Sequence, residues 1–278
     1  EALIDGLGAG VLLSNVTQRS LQAHFNARRK GRAPSSLNRE IENARALWRH
    51  AEQTGFDVGT MPNWKALRLK VPQRPARELS FEEERRLFEC LRHDMRDAVD
   101  FMLKSGWRRG EVFGLRWSDC DLNNLAAVTR IKGGDIVKRP LTSTLMQLIE
   151  KQPQVGPFVF TYVCQQSRGK RHKGDRYPLT PTAFRKPFSL ALKKAGIDGF
   201  RPHDLRHTRG TRIVRETGSL AAAKEALKHK SINTTLRYAH VLDDDTRRAL
   251  DASESRNSPE RHGRSDSKIT KNQKLKAV

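Results

Sequence analysis

Cysteine is scarce: Cys90, Cys120 and Cys164 are the three in 278 residues, and no two form a C-x-x-C pair. An odd set of widely spaced thiols excludes a disulfide framework and a zinc ribbon, and reads as reduced cysteines in a cytoplasmic protein. Long apolar runs are missing too, since none approaches the roughly 18 to 20 residues a membrane-spanning helix needs. No basic-then-apolar leader is present. "GLGAG" at 6–10 lacks the G-x-G-x-x-G spacing and follows no strand pattern, so it carries no nucleotide-binding signal. Acidic residues are outnumbered, 31 against 53 lysines and arginines, which leaves a formal charge of +22. A positive field of that size selects a polyanion, and nucleic acid is favoured over a membrane surface.

The length suits two modest domains. Thr17 opens a predicted helix over 17–30, and Leu37, Ile41, Ala44, Trp48 and Ala51 recur at helical spacing over 36–53. Arg39, Arg45 and Arg49 leave that helix on its other sides, and Arg45 and Arg49 are the candidate DNA contacts of the segment. Two prolines and no periodicity over 70–80 mark a linker at 73–79, after which Ser80 and Glu83 form a capping-box pair. The expected organisation is therefore a helical DNA-binding domain over 1–72, a linker, a second domain over 80–250, and a polar tail over 251–278 that is disordered or ordered on a partner. Glu1 rather than methionine opens the chain, so the first domain is expected to lack its start.

In the second domain, Met95, Val99, Met102 and Leu103 predict a helix ending at Gly106. "AVTRIK" and "DIVKRPL" flank Gly133-Gly134 as a hairpin, and "PFVF" at 157–160 is a further short strand. Pro181 suits a helix start, whereas Pro187 predicts a kink or break. Leu220, Ala223, Ala226 and Leu227 form another helical stripe. The fold class is mainly α with a small antiparallel β-sheet.

"RPHDLRHT" at 201–208 places His203 and His207 four apart, superficially like H-E-x-x-H. Zinc is rejected: the base position holds a shorter aspartate suited to capping a helix, and no third ligand is evident. The alternative sets His203 and Arg206 at a helix start facing a phosphate. Arg108 lies just past Gly106, Lys132 at the lip of the Gly-Gly turn, and His229 and Tyr238 in "LKHKSINTTLRYAH". Singly these are a surface arginine, a solvated lysine, a capping histidine and a half-buried tyrosine.

Together and in this order, "SGWRRGEVFGLRWSDCDL", "IKGG", "PHDLRHT" and "LKHKSINTTLRYAH" closely resemble the tyrosine recombinase (phage integrase) family over about 77–250. The segment 1–70 more weakly resembles its core-binding domain. The resemblance implies a catalytic set of Arg108, Lys132, His203, Arg206, His229 and the nucleophile Tyr238, with no cofactor and no metal. It implies double-stranded recombination sites as substrate, four protomers on two sites, accessory DNA-bending proteins, and a bacterial or phage-encoded, nucleoid-associated protein. Lys228 departs from the family's usual glycine before the histidine, and Arg209-Gly210 from its aromatic and small pair; the latter is expected to affect packing alone. Two rivals are a type IB topoisomerase-like enzyme and a non-catalytic DNA-binding regulator of the same fold.

Overall fold

The computed structural model describes residues 2–72, 77–130 and 134–242, together with 246, 247, 250, 251 and 253. The chain divides into two compact units, Glu1–Arg74 and Pro75–Val278.

The first unit holds α1 (Ala2–Leu7), α2 (Gln18–Ala27), α3 (Pro34–Gln53) and α4 (Trp64–Leu67). Thr17 starts α2 by accepting the Ser20 N–H at 3.1 Å, and the Ser20 hydroxyl accepts the Thr17 N–H at 3.0 Å. Pro34 occupies the first turn of α3, where its missing N–H costs nothing. All five residues of the α3 stripe are buried, and Trp48 meets Trp64 edge to face at 5.4 Å. Arg45 lies 3.6 Å from Glu42, and Arg49 is exposed.

The second unit opens with α5 (Phe81–Cys90), α6 (His93–Ser105) and α7 (Arg109–Phe113). A three-stranded antiparallel sheet follows: β1 (Cys120–Asp121), β2 (Ala126–Arg130) and β3 (Ile136–Pro140), in the order β1-β2-β3. After α8 (Ser143–Glu150), β4 (Thr161–Val163) pairs with β5 (Arg176–Pro178). The remaining helices are α9 (Pro181–Lys194), α10 (Asp204–Thr217) and α11 (Leu220–Leu227), followed by single turns at Ile232–Thr234 and Leu236–Tyr238. The fold is mainly α with small antiparallel sheets. Its core gathers Met95, Val99, Phe101 and Met102 of α6 with Phe160, Phe184 and Phe188. The N-terminal stretch joins α10 through the Leu79 N–H, which donates to Thr208 Oγ1 at 2.9 Å.

Several local expectations shift. The strands of the predicted hairpin pair, but Arg130 stands opposite Ile136, where a two-residue turn at Gly133-Gly134 would set it opposite Val137; Lys132 and Gly133 lie outside the described residues. "PFVF" is not a strand. Phe158 makes one isolated bridge to Arg116, Val159 and Phe160 are buried, and the paired strand is the next segment, Thr161–Val163. Helix α9 continues through Pro187. A mid-helix proline costs about 3 kcal/mol, and burying Phe184, Phe188, Ala191 and Leu192 offsets that, at about 1.5–3 kcal/mol for each large side chain. On α11 Ala226 is exposed, and the buried stripe is Ala223 and Leu227. Of the predicted linker, Leu79 is fully buried; residues 73–76 and most of the tail lie outside the described residues.

Candidate active site

Helix α6 ends at Gly106, whose φ of 65° is left-handed and favours glycine. A Cβ there would also lie 2.6 Å from Leu227 Cδ2. The turn brings Arg108 to the start of α7, where Glu111 accepts both its backbone N–H at 3.2 Å and its Nη1 at 2.8 Å. Glu111 is buried, and its Oε2 also accepts from Arg139 Nη2 at 2.7 Å. Arg139 is itself buried over the Trp107 ring and donates to Thr129 Oγ1 at 3.1 Å. A buried carboxylate held between two guanidiniums is paired on both sides and fixes the direction of Arg108.

Helix α10 supplies the next groups. Asp204 is its first residue rather than its cap, and its carboxylate accepts the Arg201 N–H at 2.8 Å. The cap position belongs to His203, which is exposed on one side and packs edge-on against His207 at 4.8 Å. Arg206 is 3 % exposed and donates to the Gly106 and Leu227 carbonyls, both at 2.6 Å. Two of its five N–H groups are thus anchored on carbonyls of two other helices. Burial pushes its pKa down to about 10, so it stays cationic at neutral pH.

Lys228 ends α11 with φ 51° and ψ 55°. That left-handed conformation is the physical reason a glycine suits this position; the lysine adopts it and His229 still turns inward. His229 is buried, its Nδ1 is 2.8 Å from Thr235 Oγ1, and its ring stacks with that of Tyr238 at 6.4 Å and 14°. Tyr238 is fully buried in a small cluster with Val214, Ala223, Leu227 and Val241. Its hydroxyl lies 2.9 Å from His207 Nδ1, and His207 Nε2 lies 3.2 Å from Arg237 Nη1. Both His207 nitrogens therefore face protein groups.

Three of the expected catalytic side chains, His203, Arg206 and His229, lie in the field of Arg108, and Tyr238 lies in that of Arg206. Desolvation, then Arg206, lowers the pKa of His203. Desolvation followed by Arg206, Arg108 and Arg237 brings His229 down to about 4. His207 falls to about 3, through desolvation and then His203, Arg237 and Arg206. Burial raises the Tyr238 phenol, against the pull of Arg206 and Arg237. Neutral imidazoles in a field of fixed guanidiniums form a site that is stabilised by an entering anion. Lys132 is outside the described residues, and Arg45 and Arg49 belong to the other unit.

Sequence reasoning missed Glu111, His207, Arg237 and Gly210. Glu111 had a signal, the R-x-x-E capping spacing from Arg108. Gly210 was read as a packing detail, yet a Cβ on it would sit 2.5 Å from Tyr238 Cζ and 2.8 Å from its hydroxyl. Gly210 is the floor under the tyrosine. Gly210→Ala is expected to displace the ring and destabilise the second unit by about 1–3 kcal/mol through overpacking. A urea transition with a lowered midpoint and unchanged slope is the expected readout; an unshifted midpoint would show a seat that yields freely. Beside Arg108, Arg109 lines a groove of about 690 Å³ with Arg185, Lys186 and Lys193 of α9. That groove offers four cations to a polyanion.

Fold and site together define a cluster of arginines and histidines built around a buried tyrosine. Residues 77–245 match the phage integrase family, and the chain belongs to that family. The integrase of Salmonella phage P22 is 30% identical over 193 residues, 64% of this chain and 48% of the relative. The chain thus spans about half the length of that integrase. The tyrosine recombinase XerC of Staphylococcus carnosus (strain TM300) is 25% identical over 231 residues, covering 79% of this chain and 75% of the relative. In fold, the chain is similar to lambda integrase(75-356), solved as a dimer bound to a COC′ core site, with a TM-score of 0.64 and 19% identity over 84% of this chain and 85% of that one. It is equally similar to XerH bound to a palindromic difH substrate in a post-cleavage complex, with a TM-score of 0.64 and 17% identity over 86% and 73%.

Proposed function

We propose that this protein is a site-specific DNA recombinase that cuts and rejoins duplex DNA through a covalent 3′-phosphotyrosine. It would integrate or excise a mobile element or prophage. The observation that carries the reading is the convergence on Tyr238 of groups from separate motifs: His229 stacks on its ring, Arg206 and Arg237 act on its phenol, and Arg108 acts on Arg206 and His229.

The chemistry needs a nucleophile, positive charge on the non-bridging oxygens, a proton acceptor, and a proton for the leaving oxygen. Tyr238 attacks phosphorus, the bond from phosphorus to the 5′ oxygen breaks, and the linkage energy is kept in the phosphotyrosine, so rejoining needs no ATP. Arg108 and Arg206 clamp the phosphate with permanently charged forks. His203 accepts the phenol proton; burial and then the arginine field lower its basicity, so its neutral form is the one present near pH 7, and the entering phosphate offsets that field. With the Thr235 hydroxyl on Nδ1, His229 presents Nε2–H to a phosphate oxygen. Lys132 protonates the leaving 5′ oxygen. Tyr238 is fully buried in the free chain, so DNA binding has to uncover the outer side of its hydroxyl. Four protomers on two sites would complete two rounds of exchange, with accessory bending proteins where the site requires them.

The test is cleavage of duplex DNA carrying a nick that traps the adduct. The covalent complex is expected to form in excess EDTA, because Arg108, Arg206 and Lys132 place at the phosphate the charge a divalent cation would bring. Loss on chelation with recovery on adding Mg²⁺ would overturn the metal-independent mechanism. Adducts at one defined sequence support recombination; adducts scattered along any duplex favour topoisomerase-like relaxation.

A further inference from the structure

His207 belongs to none of the roles above, yet it is the group that touches the phenol oxygen. Its tautomer is decided by its neighbours. Arg237 has only N–H groups to offer, so the His207 Nε2 that faces it at 3.2 Å must be the bare, accepting nitrogen. The Arg237 side chain is itself steered there, because its Nε donates to the Thr234 carbonyl at 3.0 Å. A neutral imidazole with a bare Nε2 carries its proton on Nδ1, and Nδ1 is the atom 2.9 Å from Tyr238 Oη. The reverse arrangement, with the phenol donating to Nδ1, would set an Nε2–H against an arginine N–H and lose one of the two bonds. His207 is therefore a donor to the phenol oxygen.

We infer that His207 is a further catalytic residue, a fixed hydrogen-bond donor to Tyr238 Oη that stabilises the negative charge on that oxygen as it attacks, with Arg237 as the positioning residue that holds His207 in the donating tautomer. The inference rests on Tyr238 being the nucleophile. As the bond from Oη to phosphorus forms and the bond to the 5′ oxygen breaks, the phenol proton goes to the base and the leaving oxygen takes a proton from the acid. His207 keeps its Nδ1 proton throughout. It is not the base: its one bare nitrogen is occupied by Arg237, and burial, with the neighbouring cationic groups second, holds it neutral, with a pKa of about 3. The donor also answers a difficulty of the site, since burial alone makes the Tyr238 phenol harder to ionise.

Three variants and two readouts test this. His207→Asn keeps a side-chain N–H able to reach the Nδ1 position, His207→Leu removes the donor, and Arg237→Met, at an exposed position, frees the tautomer without touching the core. In single-turnover cleavage His207→Leu is expected to be slower by about 10²-fold, as for loss of one preorganised donor, Arg237→Met by about 10-fold, and His207→Asn to stay close to wild type. The second readout uses free protein labelled with 3-fluorotyrosine, the Tyr238 fluorine resonance being assigned by its loss in Tyr238→Phe. Its ionisation constant is expected to fall at least about 10-fold in His207→Leu and little in His207→Asn. Should His207→Leu fail to fold, Arg237→Met and His207→Asn still decide the matter. Equal rates in His207→Asn and His207→Leu, or an unmoved titration, would overturn the donor role. Faster cleavage in His207→Leu would do the same and make the contact a restraint on the tyrosine. Failure of the nucleophile reading is separate, because it shows as an adduct in Tyr238→Phe while the titration is unaffected.

Discussion

Tyr238→Phe is expected to bind DNA as the parent does and to form no covalent adduct. The substitution keeps the ring, which fills the space between Gly210, His229 and the Val214–Leu227 cluster, so the fold should survive. What leaves is one oxygen, and with it the only atom proposed to bond phosphorus. The stability cost is about 1–3 kcal/mol, because the loss removes one partner of a buried hydrogen bond and leaves His207 Nδ1 without it. The activity cost is total. Electrophoresis of the protein with a labelled nicked duplex measures the adduct, and a filter or gel-shift titration measures affinity. An adduct persisting in Tyr238→Phe, or mapping to Tyr162 or Tyr177, would remove Tyr238 from the mechanism. Those two tyrosines have other partners: Tyr162 accepts from Arg171 at 3.1 Å and Tyr177 accepts the His172 N–H at 2.9 Å.

Arg206→Lys is expected to be nearly as damaging, although the charge is kept. The guanidinium serves three bodies at once: the Gly106 carbonyl at the end of α6, the Leu227 carbonyl at the end of α11, and the proposed phosphate. A lysine ammonium is one nitrogen with three donors around a single point. It cannot span two carbonyls that a fork reaches at 2.6 Å each and also clamp a phosphate. One carbonyl goes unpaired in a buried place, at about 1–3 kcal/mol, and the two helix ends that frame the site lose their tie. Chemistry should fall by between about 10²- and 10³-fold, the range for loss of one preorganised donor. Single-turnover cleavage at saturating protein separates this from weakened DNA binding. A near-parental rate there would show that charge alone is required at this position.

What could be read directly from the sequence is what depends on neighbours along the chain. Thr17 and Ser80 cap their helices through residues three positions on, the α3 stripe follows from the helical repeat, and the Gly106 stop follows from a left-handed turn. The motif order pointed to the family that residues 77–245 match. Where neighbours in space overrode local preference, the reading failed: Pro187 sits inside a helix because its flanking phenylalanines are buried, and "PFVF" is core without being a strand.

The site divides along the same line. Residue types at motif positions were legible as candidates for phosphate chemistry, because each type has its own donors and charge. Their working states were not, since those come from contacts between segments distant in the chain. Arg206 is anchored by carbonyls 100 and 21 residues away, and Tyr238 is met by a histidine 31 residues away. Gly210 in the sequence is a missing side chain; in the fold it is the space a phenol ring occupies. Thus the sequence alone determined the fold class, the local caps and the inventory of reactive groups. Only the tertiary structure decided which histidine meets the phenol and which way its proton points, because a tautomer is set by the partner on the far side of the ring, and that partner is placed by folding.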